Sequence, residues 1–271
     1  MDAYWETMQA SAHRGPAPYN RDRLDLRVVA GSVLVLTVAD GGGSAGMTHT
    51  QRGHLGSRWA VEELMRRAVP FARSVADIED DADRWPLLVD RAKRLGGEIR
   101  RNWRDRARMH EANNPGDGIQ RATTPVPPAA LSPYGSSVLG VVISPSLLFA
   151  WQLGSGDIAL AGERGTRVLF DDRPRGDVSD LLSDVRPGRQ MRFHWQPTDT
   201  LGACRLVLLN TDGLTRAFAD RAAYHGFVEN LYARSVRRGA QAVRDRLGGW
   251  LDQAAERSTD DATLVAAYAD H

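Results

Sequence analysis

The sequence predicts an α+β layered domain. Strand-like and helix-like runs are segregated instead of alternating regularly, and the strand runs are short, apolar and bounded by Gly or Pro. No repeat of about 20 to 50 residues is present, which excludes a solenoid or propeller.

In chain order, residues 28–39 read as a strand pair or one long strand, because the Gly31-Ser32 turn precedes the β-branched run Val33-Leu34-Val35-Leu36-Thr37-Val38. This run stops at Asp40-Gly41-Gly42-Gly43-Ser44. Residues 56–75 place Trp59, Leu64, Ala68 and Phe71 at helical spacing, and Leu88, Ala92, Leu95, Ile99 and Trp103 mark a second amphipathic helix. The stretch 113–133 holds five prolines and reads as a loop within one domain over 1–271. Four short apolar runs at 136–143, 146–153, 157–161 and 166–170, split by Ser-Pro or Gly-containing turns, have the signature of a β-meander. A buried strand at 205–210, helices at 222–236 and 240–256, and a last strand at 262–268 complete the order.

Composition removes several function classes. Of 271 residues, 42% are hydrophobic and 25% charged, an ordinary soluble balance, and no window approaches the ~18 uninterrupted apolar residues of a membrane span. The first fourteen residues include Asp2 and Glu6 and lack the form of a secretory signal, so a cytoplasmic location is expected. Cys204, the only cysteine, excludes an internal disulfide and a thiolate zinc site. Its apolar neighbours mark it as a core residue, not a nucleophile. A net charge of +1 gives no global field for nucleic acid or an anionic membrane, and neither is expected as a partner. Residues 84–108 hold nine basic and three acidic residues, which reads as the solvated face of a core-packed helix, with an acidic partner or phosphoprotein as the functional alternative.

Acidic residues stand where strands should end. Asp40 follows the first apolar run, Asp212 lies in Leu208-Leu209-Asn210-Thr211-Asp212-Gly213, and Asp260-Asp261 enters the last strand. Asp22 precedes the first strand. Such positions are rigid yet open to solvent, as metal ligands require, although each aspartate taken singly also suits a turn or helix cap. Carboxylate and carbonyl oxygens select Mg²⁺ or Mn²⁺, whereas zinc prefers histidine or thiolate. His49 and His54 do not share a helical face and are left out of the ligand set. The glycine run 41–43 suits a tight turn as well as a phosphate cradle.

These motifs resemble the PPM (type 2C) metal-dependent serine/threonine phosphatase family, above all its small bacterial single-domain members. Val38-Ala39-Asp40-Gly41-Gly42-Gly43-Ser44 resembles the family's Asp-Gly-x-Gly-Gly/Ser element, followed by Gly56-Ser57 and Ala60. Gly135-Ser136-Ser137 resembles its Gly-x-Thr strand start, Leu208 to Leu214 its Leu-Leu-x-Thr/Ser-Asp-Gly-Leu, and Asp260-Asp261-Ala262-Thr263 its closing Asp-Asn/Asp-x-Thr/Ser. The resemblance runs in order from about residue 5 to residue 268.

It implies a central antiparallel β-sandwich flanked by helices on both faces, in four α/β/β/α layers, with two Mn²⁺ or Mg²⁺ ions at one end. On that pattern Asp40 bridges both ions, Asp212 and Asp260 complete one site, Gly41 offers its carbonyl to the other, and Asp22 orders that site through its waters. Asp40 and Asp212 would then act through metal-activated water on phosphoserine or phosphothreonine of a phosphorylated protein, opposing a serine/threonine kinase. Neither a Cys-x₅-Arg element nor a Gly-x-Ser-x-Gly elbow is present to supply a protein nucleophile.

The chain departs from the family at three positions. Ser155, in Gly154-Ser155-Gly156-Asp157, replaces an aspartate that serves an additional metal in relatives, and Asp157 is one residue late, which argues against a third ion. Ala17 stands where the family has its phosphate-binding arginine, leaving Arg14 and Arg21 as candidates for that role. Gly42 stands where some members carry a histidine. Ser155 and Ala17 keep open an alternative, a catalytically impaired regulatory or binding module.

Overall fold

The computed structural model describes residues 4–14, 19–42, 52–78, 80–115, 126–171, 180–184, 191–201 and 204–270. Its strands are β1 (Tyr4–Ala12), β2 (Arg23–Val29), β3 (Val33–Ala39), β4 (Val138–Ile143), β5 (Leu147–Leu153), β6 (Asp157–Gly162), β7 (Gly165–Leu169), β8 (Arg192–Pro197), β9 (Cys204–Asn210) and β10 (Ala262–Asp270). Helices α1 (Gly53–Ile78) and α2 (Trp85–Asn113) follow β3, while α3 (Asp212–Arg216) and α4 (Arg221–Ser258) lie between β9 and β10.

The strands form two five-stranded antiparallel sheets, ordered β1-β10-β9-β6-β7 and β2-β3-β4-β5-β8. Period-two alternation explains how they stack. In β3, Val33 and Val35 join α1 and α2 in one apolar cluster, whereas Leu34, Leu36 and Val38 face the other sheet with Val207, Leu209 and Val265. In β9 and β10, Leu206, Leu208, Leu264 and Tyr268 pack instead beneath α4. The central strands are thus buried on both faces and read as unbroken apolar runs. Four layers, α/β/β/α, result, as the family resemblance implied.

Three elements escaped the sequence reading, the short helix α3 and the strands β1 and β8. β1 and β8 are edge strands with mixed polar sequences, YWETMQASA and RFHWQP, and their alternation is blurred by small or half-exposed residues. The four runs from 136 to 170 are not one meander, since β4 and β5 belong to one sheet and β6 and β7 to the other. The Gly154–Gly156 turn carries the chain across, with Gly154 at φ 94° and Gly156 at φ 102°, backbone angles that a side chain would strain. In the stretch expected to be loop, residues 128–134 form a short 3-10 helix. α4 breaks at Gly239 (φ 76°, ψ 158°), so it is two helices, as expected from 222–236 and 240–256. Among the described residues no helix is long and apolar enough to cross a membrane.

Candidate active site

Strand register brings the aspartates to one end of the sandwich. β2 starts where β3 ends, with Arg23 opposite Ala39, so Asp22 and Asp40 flank the same pair of strand ends. β9 and β10 pair Asn210 with Leu264, which sets Thr211-Asp212 beside the segment that enters β10. Four carboxylates from distant parts of the chain thereby share one neighbourhood.

Each is held by its own scaffold. The Asp40 backbone is clamped by the start of β4: its N–H donates to Ser137 Oγ at 3.1 Å, and its carbonyl accepts from Ser136 Oγ at 2.9 Å and the Ser137 N–H at 3.0 Å. Gly41 packs backbone to backbone against α1, and a Cβ there would lie 2.5 Å from the Gly53 carbonyl oxygen and 3.1 Å from that of Arg21. Asp22, 3% exposed, accepts from the Thr211 hydroxyl at 2.7 Å through Oδ2, and its buried Oδ1 has no hydrogen-bond partner. Thr211 is itself fixed by N–H to carbonyl bonding with Thr263 at 3.0 Å. Asp212 opens α3 and accepts from the Ser155 hydroxyl. Asp260 follows Thr259, whose left-handed backbone (φ 56°) ends α4.

Two arginines reach this cluster. Arg216 places Nη2 2.7 Å from Asp212 Oδ2 and Nη1 2.9 Å from Asp260 Oδ2, while Arg21 Nη2 lies 3.8 Å from Asp260 Oδ1. Arg14, the other arginine considered for phosphate, turns outward instead, with its guanidinium 3.5 Å from Glu256 and its side chain 48% exposed. Asp261 pins this segment, accepting from the Arg14 N–H at 3.2 Å and the Arg21 N–H at 2.8 Å, and lying 2.6 Å from His13 Nδ1.

The electrostatics are those of crowded, dehydrated carboxylates. Burial pushes the Asp22 carboxyl up to about 7, against hydrogen bonds from Thr211 and Thr263. Burial, then the charges of Asp22, Asp212 and Asp260, holds Asp40 well above the usual carboxylate range, with Arg21 opposing. Burial also raises Asp212, with Arg216 opposing. Among the described residues no three His, Cys, Asp or Glu side chains are already gathered as metal ligands, and Arg216 lies between two of the carboxylates expected to bind. The donor set nevertheless fits hard divalent cations: it is all oxygen, mutually repelling, and includes the orphaned Asp22 Oδ1.

Asp157, whose charge also raises Asp212, is engaged by other partners. Its carboxylate pairs with Arg221 at 2.7 Å and accepts from the Thr215 hydroxyl, tying β6 to α3 and α4. His54 packs edge-on against Tyr19, with ring centroids 4.7 Å apart. Ala17, Gly43, Ser44, His49 and the Cys204 side chain lie outside the described residues. The supporting roles of Ser136, Ser137, Thr211, Arg216 and Asp261 were not read from the sequence. Ser136, Ser137, Thr211 and Asp261 carried a signal only as members of the family-like motifs, and Arg216 only in its i,i+4 spacing from Asp212.

A family model for protein phosphatase 2C matches residues 11–252. The chain belongs to the protein phosphatase 2C family. No curated protein sequence matches it significantly. Solved structures reproduce the 2C fold over nearly the whole chain. The S. agalactiae serine/threonine phosphatase has TM-score 0.63 at 13% identity, covering 98% of this chain and 100% of that one. The Mycobacterium tuberculosis serine/threonine phosphatase PstP/Ppp has TM-score 0.60 at 14% identity, covering 98% and 99%. A PstP catalytic domain solved in complex with two manganese ions gives the same values. At these identities the likeness to solved structures establishes the 2C fold.

Proposed function

We propose that this 2C-family chain is a metal-dependent phosphoprotein phosphatase that hydrolyses phosphoserine and phosphothreonine at a two-metal centre. The observation that carries the reading is the convergence of Asp22, Asp40, Asp212 and Asp260, where burial and the charges of neighbouring carboxylates raise the proton affinity of Asp22, Asp40 and Asp212. Asp40 would be shared between two Mn²⁺ or Mg²⁺ ions, Asp212 and Asp260 would serve one of them, and the Gly41 carbonyl with Asp22 the other. The two manganese ions of the PstP catalytic domain support this stoichiometry by analogy. When bound, such ions lower the pKa of water and neutralise charge on a phosphoryl group.

The chain's own residues do the positioning. Ser136 and Ser137 fix the Asp40 backbone, Thr211 orients Asp22, and Asp261 holds the segment that carries Arg21. Arg21 is the candidate phosphate ligand, since its side chain is 13% exposed at the cluster and its buried Nε has no partner. Ser155 bonds Asp212 and thus supports two ions in preference to three. The impaired-module alternative has less support, because none of the four aspartates is missing. A cytoplasmic site of action on phosphorylated proteins, opposing a serine/threonine kinase, belongs to the same proposal.

The test is hydrolysis of an aryl phosphate and a phosphothreonine peptide with Mn²⁺, Mg²⁺ or EDTA, comparing the native chain with Asp212→Ala. Metal-dependent turnover reduced at least about 100-fold in the variant is expected. Turnover that survives EDTA or the substitution would overturn the two-metal reading.

A further inference from the structure

α2 carries more positive charge than its surroundings neutralise. Its acidic residues are engaged: Asp90 lies 4.0 Å from Lys93, Glu98 3.1 Å from Arg67, and Asp105 2.9 Å from Arg108. Arg94, Arg101 and Arg104 have no ion-pair carboxylate among the described residues. With Lys93 and Arg100 they rim a groove of about 580 Å³, whose opposite wall is Trp151 of β5, Met191 and Phe193 of β8. Gly96 lets the helix pack closely on that wall, since a Cβ there would meet Met191 at 3.0 Å. Burial, then the neighbouring charges of Arg100 and Arg108, lowers the proton affinity of the Arg104 guanidinium, with Asp105 and Asp184 opposing, and its buried Nε has no hydrogen-bond partner. An anion would relieve that repulsion.

The groove also adjoins the candidate active site. Arg100 donates to the Asp184 carbonyl at one end of the segment 180–184. The same segment bonds the Ser136 carbonyl through the Leu182 N–H at 2.9 Å, and Leu181 closes over Gly42. One short stretch of backbone therefore joins the arginine rim to the Asp40–Gly42 turn.

We propose that the groove between α2 and the β5–β8 edge is a docking site for an acidic stretch of the phosphorylated protein on which this chain acts, a proposal that rests on the phosphatase reading above. Residues 93 to 104 span roughly 17 Å along the helix axis, the length of about five extended residues. Arginine clusters recognise acidic segments through charge-assisted hydrogen bonds, and the apolar wall accommodates the intervening side chains.

The experiment compares phosphothreonine peptides with acidic and neutral flanks, together with an aryl phosphate, in the native chain and in Arg94→Glu/Arg101→Glu. The expected result is a kcat/KM about tenfold higher for the acidic flank, lost in the double variant, with aryl phosphate turnover unchanged. Equal kcat/KM for the two flanks, or a preference that survives the double substitution, overturns the docking site. If no substrate is hydrolysed, the phosphatase reading fails separately. Fluorescence anisotropy of a labelled, unphosphorylated acidic peptide then decides the groove: binding abolished by the double variant upholds it, and no binding overturns it. Equal binding of an oligonucleotide of matched charge would also overturn the peptide reading.

Discussion

Among individual residues, Arg216 has the most immediate chemical consequence. It bonds both Asp212 and Asp260, so one guanidinium neutralises two carboxylates that the family resemblance assigns to a single metal ion. It is 60% exposed, and a pair of this kind contributes up to about 1 kcal/mol. Replacing it with glutamine removes a competitor for the carboxylates without changing the ligand set. Arg216→Gln is expected to bind Mn²⁺ roughly two- to fivefold more tightly in a calorimetric titration, and unchanged or weaker binding would show that the arginine does not compete.

Among the elements, the short helix α3 positions Asp212, and its approach to β10 depends on Gly213. A Cβ at that position would lie 1.9 Å from the Asp261 carbonyl oxygen, and Asp260 Cβ is 3.4 Å away. Neither neighbour is a flexible side-chain end, so either α3 or the 260–261 segment must move. Gly213→Ala is expected to lower stability by about 1 to 3 kcal/mol in thermal or urea unfolding, and to weaken divalent-cation binding at the same time. Unchanged unfolding together with unchanged binding would contradict this account of the α3 contact.

At this scale the sequence was most legible where burial was complete. β3, β9 and β10 were readable because both faces are covered, which leaves uninterrupted apolar runs. The paired helices around Gly239 were readable from periodicity and the glycine. β1 and β8 were not, since an edge strand with one wet face needs no such run. In the site, Asp22, Asp40, Asp212 and Asp260 were readable from their place beside strands. Arg21 and Arg14 were not separable, because both backbone N–H groups are placed by the Asp261 carboxylate, a contact about 240 positions away in sequence.

For the whole molecule, the four candidate aspartates stand beside strand ends of both sheets, and a cation bound among them would link the sandwich layers. Saturating Mn²⁺ at about 100 times its dissociation constant is expected to stabilise the fold by about 2.7 kcal/mol, a rise in Tm of roughly 5 to 10 °C. Differential scanning fluorimetry of the native chain and of Asp40→Ala checks this, with the rise absent from the variant. A similar rise in both would place the cation elsewhere.

The pairing of β1 with β10, Tyr4 opposite Asp270, has a further consequence in time. As synthesis proceeds, β1 is made well before β10, its neighbour among the described strands, with two helical layers made in between. The nascent polypeptide therefore carries an unmatched strand until β10 is made, a surface suited to capture by chaperones or to misassembly. Asp260 is made together with β10, so the candidate catalytic centre, begun by Asp22, Asp40 and Asp212, stays incomplete until that strand joins the sheet.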